Sequence, residues 1–118
     1  MSIKLETRDV AGVRIIDLAG RLTLGEGSSM LRDSVRQTLT SGQKKILLNL
    51  ADLSYMDSSG MGELVSAYVT TNNQGGKLKL LNLSDRVQSL LLITKLLTIF
   101  EVYDREETAI RSFDAPAA

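Results

Sequence analysis

The feature that most limits the fold of this chain is a short, almost entirely apolar run at residues 46–50 (Ile-Leu-Leu-Asn-Leu). Apolar side chains at both odd and even positions do not suit a strand with one solvated face, so the run predicts a parallel strand covered on both sides. Parallel strands are joined by long crossovers, which are usually helices. Such a helix is predicted directly afterwards, because apolar residues recur there at helical spacing. They are Met61, Leu64, Val65, Tyr68 and Val69.

The other segments complete an alternation of strands and helices. Helix start signals are expected at Ser84, as an N-cap, and at Asp104 with Glu107, as a capping box. The first half of the prediction has strands at 3–8 and 13–19 around a turn at 9–12, a loop at 20–27, a helix at 28–40 and the strand at 46–50. A connection at 51–57 then leads to a helix from Ser59 to Gly75-Gly76, a strand at 77–83 and a helix at 85–93. The chain ends with a strand at 99–103 and a last helix carrying Ala109, Ile110 and Phe113.

This order predicts a single α/β domain. A hairpin followed by alternating strands and helices implies a mixed sheet of about five strands with four to five helices packed on it. The 118 residues fit one compact domain and leave no room for a second. We expect the domain to span residues 2–113 and residues 114–118 to form a disordered tail.

Composition excludes several classes of function. The 14 basic and 14 acidic side chains balance, which argues against a nucleic-acid partner. Histidine and cysteine are both absent, so the commonest general base, thiolate nucleophiles and the usual metal ligands are missing. No metal site, cofactor or small-molecule substrate is therefore expected. No apolar stretch is long enough to span a bilayer, which predicts a cytoplasmic protein without membrane insertion.

The segment Asp57-Ser58-Ser59-Gly60 lies between the buried strand and the following helix. A hydroxyl on Ser58 would stand where free backbone N–H groups and the positive end of the helix dipole accept a phosphate. Gly60 and Gly62 each lower helix propensity by about 1 kcal/mol relative to alanine, so another backbone or another protein should approach closely there. Local chemistry alone favours a plainer interpretation, because Asp57, Ser58 and Ser59 are all common N-cap residues.

The chain resembles the STAS family, whose founding members are bacterial anti-sigma factor antagonists. The resemblance is concentrated in residues 46–64 and extends in the same order over almost the whole chain. The matching pieces are Leu18-Ala19-Gly20-Arg21-Leu22, Asn49-Leu50, Leu53-Ser54, Met56-Asp57-Ser58-Ser59-Gly60-Met61-Gly62, Gly75-Gly76, Leu92-Ile93-Thr94-Lys95-Leu96 and Ile99-Phe100.

The resemblance implies a switch that works through protein partners. In the family, the serine equivalent to Ser58 is phosphorylated by a GHKL-type serine kinase that is also the anti-sigma factor. The unphosphorylated antagonist binds this kinase and releases the sigma factor, and a phosphatase resets the cycle. The implied partner contacts are Asp57, which would also orient or cap the acceptor, with Ser59, Gly60, Met61, Gly62, Thr23 and Met56. Thr23 stands where the family often has an aspartate, which bears on partner identity.

Two other functions stay open at this stage. The chain could be a STAS subunit of a cytoplasmic complex, such as a lipid-transport ABC system or a signalling scaffold, that acts without phosphorylation. A nucleotide-binding or hydrolytic enzyme is disfavoured, because the glycines of 20–27 lack P-loop spacing and Ser58 has no histidine to activate it. We therefore expect no enzymatic activity.

Overall fold

The computed structural model describes residues 3–114 of the chain. Within this range, one five-stranded sheet in the order β1-β2-β3-β4-β5 carries four α-helices. β1 runs antiparallel to β2, and all the other neighbouring strands are parallel. The elements are β1 (Ile3–Val10), β2 (Val13–Leu22), α1 (Glu26–Thr40), β3 (Lys45–Met56), α2 (Ser58–Asn73), β4 (Lys77–Leu81), α3 (Asp85–Ile93), a 3-10 turn (Leu97–Ile99), β5 (Val102–Tyr103) and α4 (Glu106–Ser112). The predicted mixed sheet and its helices are confirmed.

The central strand β3 is covered on both faces, as its apolar run predicts. Ile46 and Leu48 point into the larger core, which α1, α2 and α3 complete on one side of the sheet. Leu47 points the other way, into a smaller cluster closed by Ala109 of α4. All three of these β3 side chains are fully buried. The crossover helices therefore hold β2, β3 and β4 side by side and bring their carboxyl ends to one edge.

β3 is much longer than predicted, because the segment 51–57 is strand as far as Met56 rather than a connection. Its pairing with β2 shifts register twice, between Asp17 and Ala19 and between Gly20 and Arg21. Each shift inserts a residue into β3 relative to β2 and breaks the alternation of apolar and polar positions. Periodicity alone therefore hides the second half of this strand.

Several other boundaries differ from the prediction. β2 continues to Leu22, and α1 begins at Glu26, so the loop expected at 20–27 shrinks to three residues. β4 ends at Leu81, because the next residue, Asn82, has a left-handed backbone with φ 57°.

The last strand and helix also differ. The strand expected at 99–103 is reduced to β5, since part of that segment forms the 3-10 turn. The capping box is wrong, because α4 follows Arg105 and has no side-chain cap. Of the predicted tail 114–118, Asp114 lies at the end of the described range and residues 115–118 lie outside it.

The apolar stripe of α2 faces a slightly different direction than predicted. Leu64 is buried as expected, but Val69 is 46% exposed. Apart from Glu63, the remaining buried positions are the small residues Gly60, Ala67 and Thr71. Because small side chains allow close packing, α2 lies tightly against the sheet along this face.

Candidate functional site

The site lies where β2 and β3 end together. Their last paired residues are Leu22 and Met56. Immediately beyond them, the backbone N–H of Asp57 donates a hydrogen bond of 3.3 Å to the carbonyl of Leu22. The loop that follows β2 and the first turn of α2 are thus fixed side by side at the carboxyl edge of the sheet, where open α/β sheets carry their binding groups.

Asp57 ties these two segments together with its side chain. It is the N-cap of α2, and its Oδ1 accepts a hydrogen bond of 2.8 Å from the N–H of Gly60. Its Oδ2 accepts a second bond of 3.0 Å from the N–H of Leu24, across the edge of the sheet. The bonds from Gly60 and then Leu24 favour the ionised carboxylate and hold the pKa of Asp57 below its usual value. The predicted capping role of Asp57 is thereby present.

Ser58 is the first residue of α2 and is exposed. The N–H groups of Gly60 and Met61 are bonded to the Asp57 side chain and carbonyl, at 2.8 and 3.0 Å. Within residues 3–114, neither the hydroxyl nor the N–H of Ser58 takes part in a hydrogen bond of this network. The capping task therefore falls to Asp57, and the hydroxyl of Ser58 is left accessible at the positive end of the helix.

The two glycines of this turn serve different purposes. A Cβ added to Gly60 would lie 2.1 Å from the carbonyl oxygen of Leu22, which is too close for any side chain. A Cβ added to Gly62 would meet nothing within 4 Å. The expected close approach of a backbone is confirmed at Gly60, where it comes from the same chain, whereas Gly62 is an open position on the surface.

Not every predicted contact residue reaches the surface. Met56 is fully buried in the larger core, so its assignment as a partner contact is wrong. Gly60 is also buried and works as a packing position beneath the site. Thr23, Ser59 and Met61 are half-buried and keep part of their surface in solvent. The two register shifts change which residues of β3 face the core, and Met56 at the end of the strand points inward.

The structure adds exposed apolar residues that the sequence did not single out. Leu24 is 77% exposed, although its N–H is held by Asp57. At the end of α3, Leu92 and Ile93 are 59% and 78% exposed. A large apolar residue next to a glycine in a loop, as in Leu24-Gly25, is the signal that could have been noticed. We call the set Thr23, Leu24, Ser58, Ser59, Met61 and Gly62 the Ser58 surface.

Two kinds of site have no support in the described part of the chain. Residues 3–114 contain no group of three or more acidic side chains placed to hold a metal ion. In the same range, no helix is long and apolar enough to cross a bilayer. The arrangement at the Ser58 surface suits recognition of another protein, because it presents an accessible hydroxyl beside exposed apolar groups.

Comparison with known proteins gives a consistent result. The family model described as "STAS domain" matches residues 4–109. The anti-sigma F factor antagonist of Paenibacillus polymyxa is 30% identical over 115 residues, which cover 97% of each chain.

Solved structures show the same likeness. The crystal structure of tm1081 from Thermotoga maritima, assigned as an anti-sigma factor antagonist, superposes with a TM-score of 0.85 at 25% identity, covering 94% of this chain and 95% of that one. The Bacillus cell fate determinant SpoIIAA in its phosphorylated form superposes with a TM-score of 0.71 at 25% identity, covering 94% and 98%.

Proposed function

This chain belongs to the STAS domain family of anti-sigma factor antagonists, and we propose that it is a switch controlled by phosphorylation of Ser58. Unphosphorylated, it binds an anti-sigma factor that is also a serine kinase, and the sigma factor is released. The kinase transfers phosphate to Ser58 and the complex dissociates, and a phosphatase restores the binding form. The observation that carries the proposal is the exposed hydroxyl of Ser58 at the first position of α2, which has no hydrogen-bond partner among residues 3–114.

The position of Ser58 supports its role as an acceptor. A kinase must reach the hydroxyl, and Ser58 is exposed. Because Asp57 provides the N-cap, a modified Ser58 would leave the hydrogen bonds to Gly60 and Leu24 in place. The phosphorylated relative SpoIIAA has the same fold, which agrees with a modification that the domain can carry.

The physical effect of the phosphate would be local and electrostatic. It adds about −1.5 to −2 charge at pH 7. On the chain itself, the positive end of the α2 dipole offsets part of this charge. The neighbouring carboxylate of Asp57 adds to it, so negative charge accumulates at the start of α2. Any partner that packs apolar or acidic groups against Ser58 would have to desolvate that charge.

The neighbouring residues fit a protein partner. The exposed Leu24 and the half-buried Met61 both offer apolar area near Ser58, and Gly62 lets a partner approach the helix backbone because it has no side chain. In this reaction the chain supplies the acceptor hydroxyl of Ser58. The kinase, with Mg-ATP, supplies the phosphoryl group and the catalytic residues.

The test is a reconstitution with the cognate anti-sigma factor kinase and Mg-ATP. We expect intact-mass and peptide mass spectrometry to find one phosphate, on Ser58, and size-exclusion chromatography to show loss of the complex. Ser58→Ala should bind the kinase and accept no phosphate. Ser58→Asp should bind at least about tenfold more weakly, a difference of about 1.4 kcal/mol.

Ser59→Ala is the matched control, because Ser59 is the next residue of the same turn and also carries a hydroxyl. It should still accept one phosphate, on Ser58, even where loss of a contact in the Ser58 surface slows the transfer. Phosphate transfer to Ser58→Ala at an unchanged rate would show that another residue is the acceptor. Binding without any phosphorylation, equally strong for Ser58→Asp, would instead indicate a STAS subunit that acts by binding alone.

A further inference from the structure

A pair of arginines shares one aromatic ring next to the Ser58 surface. The guanidinium of Arg21 lies 4.7 Å from the ring centre of Tyr55, and that of Arg86 lies 5.6 Å from it. Arg21 and Tyr55 are paired neighbours on β2 and β3, and Arg86 reaches them from the first turn of α3. Three separate elements therefore bring two positive charges to one half-buried tyrosine.

These two guanidiniums differ from most of the other arginines. Arg8, Arg14, Arg32 and Arg111 each form an ion pair with a carboxylate. Within residues 3–114, no carboxylate lies within 4.0 Å of Arg21 or Arg86, and both side chains are exposed. Stacking on an aromatic face orients a guanidinium and leaves its N–H donors free at the edge.

We propose that Arg21, Tyr55 and Arg86 form a docking site for carboxylate side chains of the anti-sigma factor, a proposal that rests on the proposed function. Two guanidiniums near one ring concentrate positive charge and leave N–H donors free, so a carboxylate that pairs with either of them is attracted by both. The site adjoins the Ser58 surface, because the next residues along both strands, Leu22 and Met56, are the last pair before Asp57.

Protein carboxylates fit this site better than a nucleic acid does. Tight binding to a phosphate backbone usually needs many basic contacts, whereas this site supplies two in a chain with no net charge. An acidic loop of a protein partner presents a few carboxylates at a fixed position, and Arg forks pair with them in two-point geometry. Such exposed contacts act mainly on the association rate and on the register of docking.

The principal experiment measures association of this chain with its anti-sigma factor by biolayer interferometry. Arg21→Gln and Arg86→Gln remove the charges one at a time and together, and Arg36→Gln with Arg105→Gln is the matched double control. Arg36 and Arg105 are also exposed and free of ion pairs in the described range, but neither stacks on Tyr55.

We expect the site double variant to associate about tenfold more slowly at about 50 mM NaCl and about as fast as the unmodified chain at about 300 mM NaCl, where screening is stronger. The control double variant should stay within about twofold throughout. Equal slowing in both double variants would overturn the proposal, because general charge would then explain the effect. Unchanged rates in the site variant would overturn it as well.

A second measurement does not depend on the partner. Hexaglutamate, added to the ¹⁵N-labelled chain, should shift the side-chain Nε–Hε signals of Arg21 and Arg86 and leave that of Arg36 in place. Sodium phosphate at equal ionic strength is the comparison, and a response to phosphate without one to hexaglutamate would overturn the carboxylate assignment. Tyr55→Phe should keep the response, whereas Tyr55→Leu should lose it, because only the aromatic face orients the guanidiniums.

The two proposals can fail separately. If the unmodified chain does not bind its anti-sigma factor, the proposed function fails, and the hexaglutamate titration still reports on the site. If the chain binds and is phosphorylated on Ser58 while the arginine variants behave as the control does, only the docking site is wrong. Thermal unfolding of each variant separates a lost contact from a lost fold.

Discussion

The first turns of α2 and α3 begin at the same edge of the sheet and share one capping pattern. In each, the residue before the helix accepts a hydrogen bond from the N–H three residues later: Gly60 to Asp57 at 2.8 Å, and Val87 to Ser84 at 3.3 Å. In α3 the serine is the cap and also donates to the Leu53 carbonyl. In α2 an aspartate caps, so Ser58 keeps its hydroxyl free.

The first and third helical residues after the two caps also differ. The first residue of α3 is Asp85, a permanent negative charge at the helix start, where α2 has Ser58. The third residue of α3 is the fully buried Val87, where α2 has Gly60 with no room for a side chain. The comparison shows that α2 has no side chain at this core position and so lies against β2, and that another helix of this domain already carries a single negative charge at its first position.

The largest expected effect tests the close packing of α2. Gly60→Ala should lower the free energy of unfolding by at least about 2 kcal/mol, because its Cβ would lie 2.1 Å from the backbone oxygen of Leu22, which cannot move aside as a side chain could. Gly62→Ala, two residues along, should instead stabilise by up to about 1 kcal/mol. Urea unfolding followed by circular dichroism measures both. Equal effects at the two glycines would contradict the packed geometry.

The next effect tests whether the two caps have different tasks. Ser84→Ala should destabilise by about 1 kcal/mol, because it removes the cap of α3 and the donor to the Leu53 carbonyl. Asp57→Ala should in addition release the loop after β2, because Leu24 loses its acceptor. Hydrogen exchange at the Leu24 amide should therefore become faster in Asp57→Ala and stay unchanged in Ser84→Ala. Faster exchange in both variants would mean that the loop is held by something other than the carboxylate.

These two turns also show how far the sequence could be interpreted. The predicted helix 85–93 agrees with α3 at both ends, because Ser84 caps it locally and its apolar residues are in phase. The second half of β3 was missed, because two register shifts against β2 break its periodicity. Features that depend on neighbouring residues can be predicted from a sequence, whereas features set by pairing between distant strands cannot.

The candidate site shows the same difference between features set locally and features set by strand pairing. The exposed place of Ser58 and the close approach at Gly60 could be predicted, since both depend on a short motif between a strand and a helix. The burial of Met56 could not, because its direction depends on the shifted register. The grouping of Arg21, Tyr55 and Arg86 was equally hidden. These residues come from three elements and meet only after the sheet is assembled.

A smaller effect tests the charge at the first helical position. Ser58→Asp should stabilise or destabilise the fold by no more than about 0.5 kcal/mol, because the helix dipole favours an acidic group that the nearby Asp57 disfavours. Asp85→Ser, the reverse exchange in α3, should cost about 0.3–1 kcal/mol, since no carboxylate caps that helix. Chemical denaturation measures both. A marked loss in Ser58→Asp would mean that phosphorylation acts by unfolding the domain rather than by blocking a partner.

The smallest expected effect is a difference between the Asp57 cap and the Ser84 cap in their response to low pH. The pKa of Asp57 lies below its ordinary value of 3.8, chiefly because the Gly60 N–H and then the Leu24 N–H favour the ionised form. The contribution of this cap to stability is therefore complete above pH 3.8 and is lost as the pH falls through the lowered pKa. The hydroxyl of Ser84 does not titrate in this range, so the cap of α3 should be unaffected.

Amide proton shifts measured by NMR over an acid titration test this difference. The signals of Gly60 and Leu24 should move together with a midpoint below pH 3.8, and Asp57→Asn should abolish the movement. The Val87 amide should not follow them, and it also reports any general unfolding, which would move all three signals at once. A shared midpoint at or above pH 3.8 would show that the carboxylate is not held by these two N–H groups, and that the aspartate cap does not differ from the serine cap in the way the structure indicates.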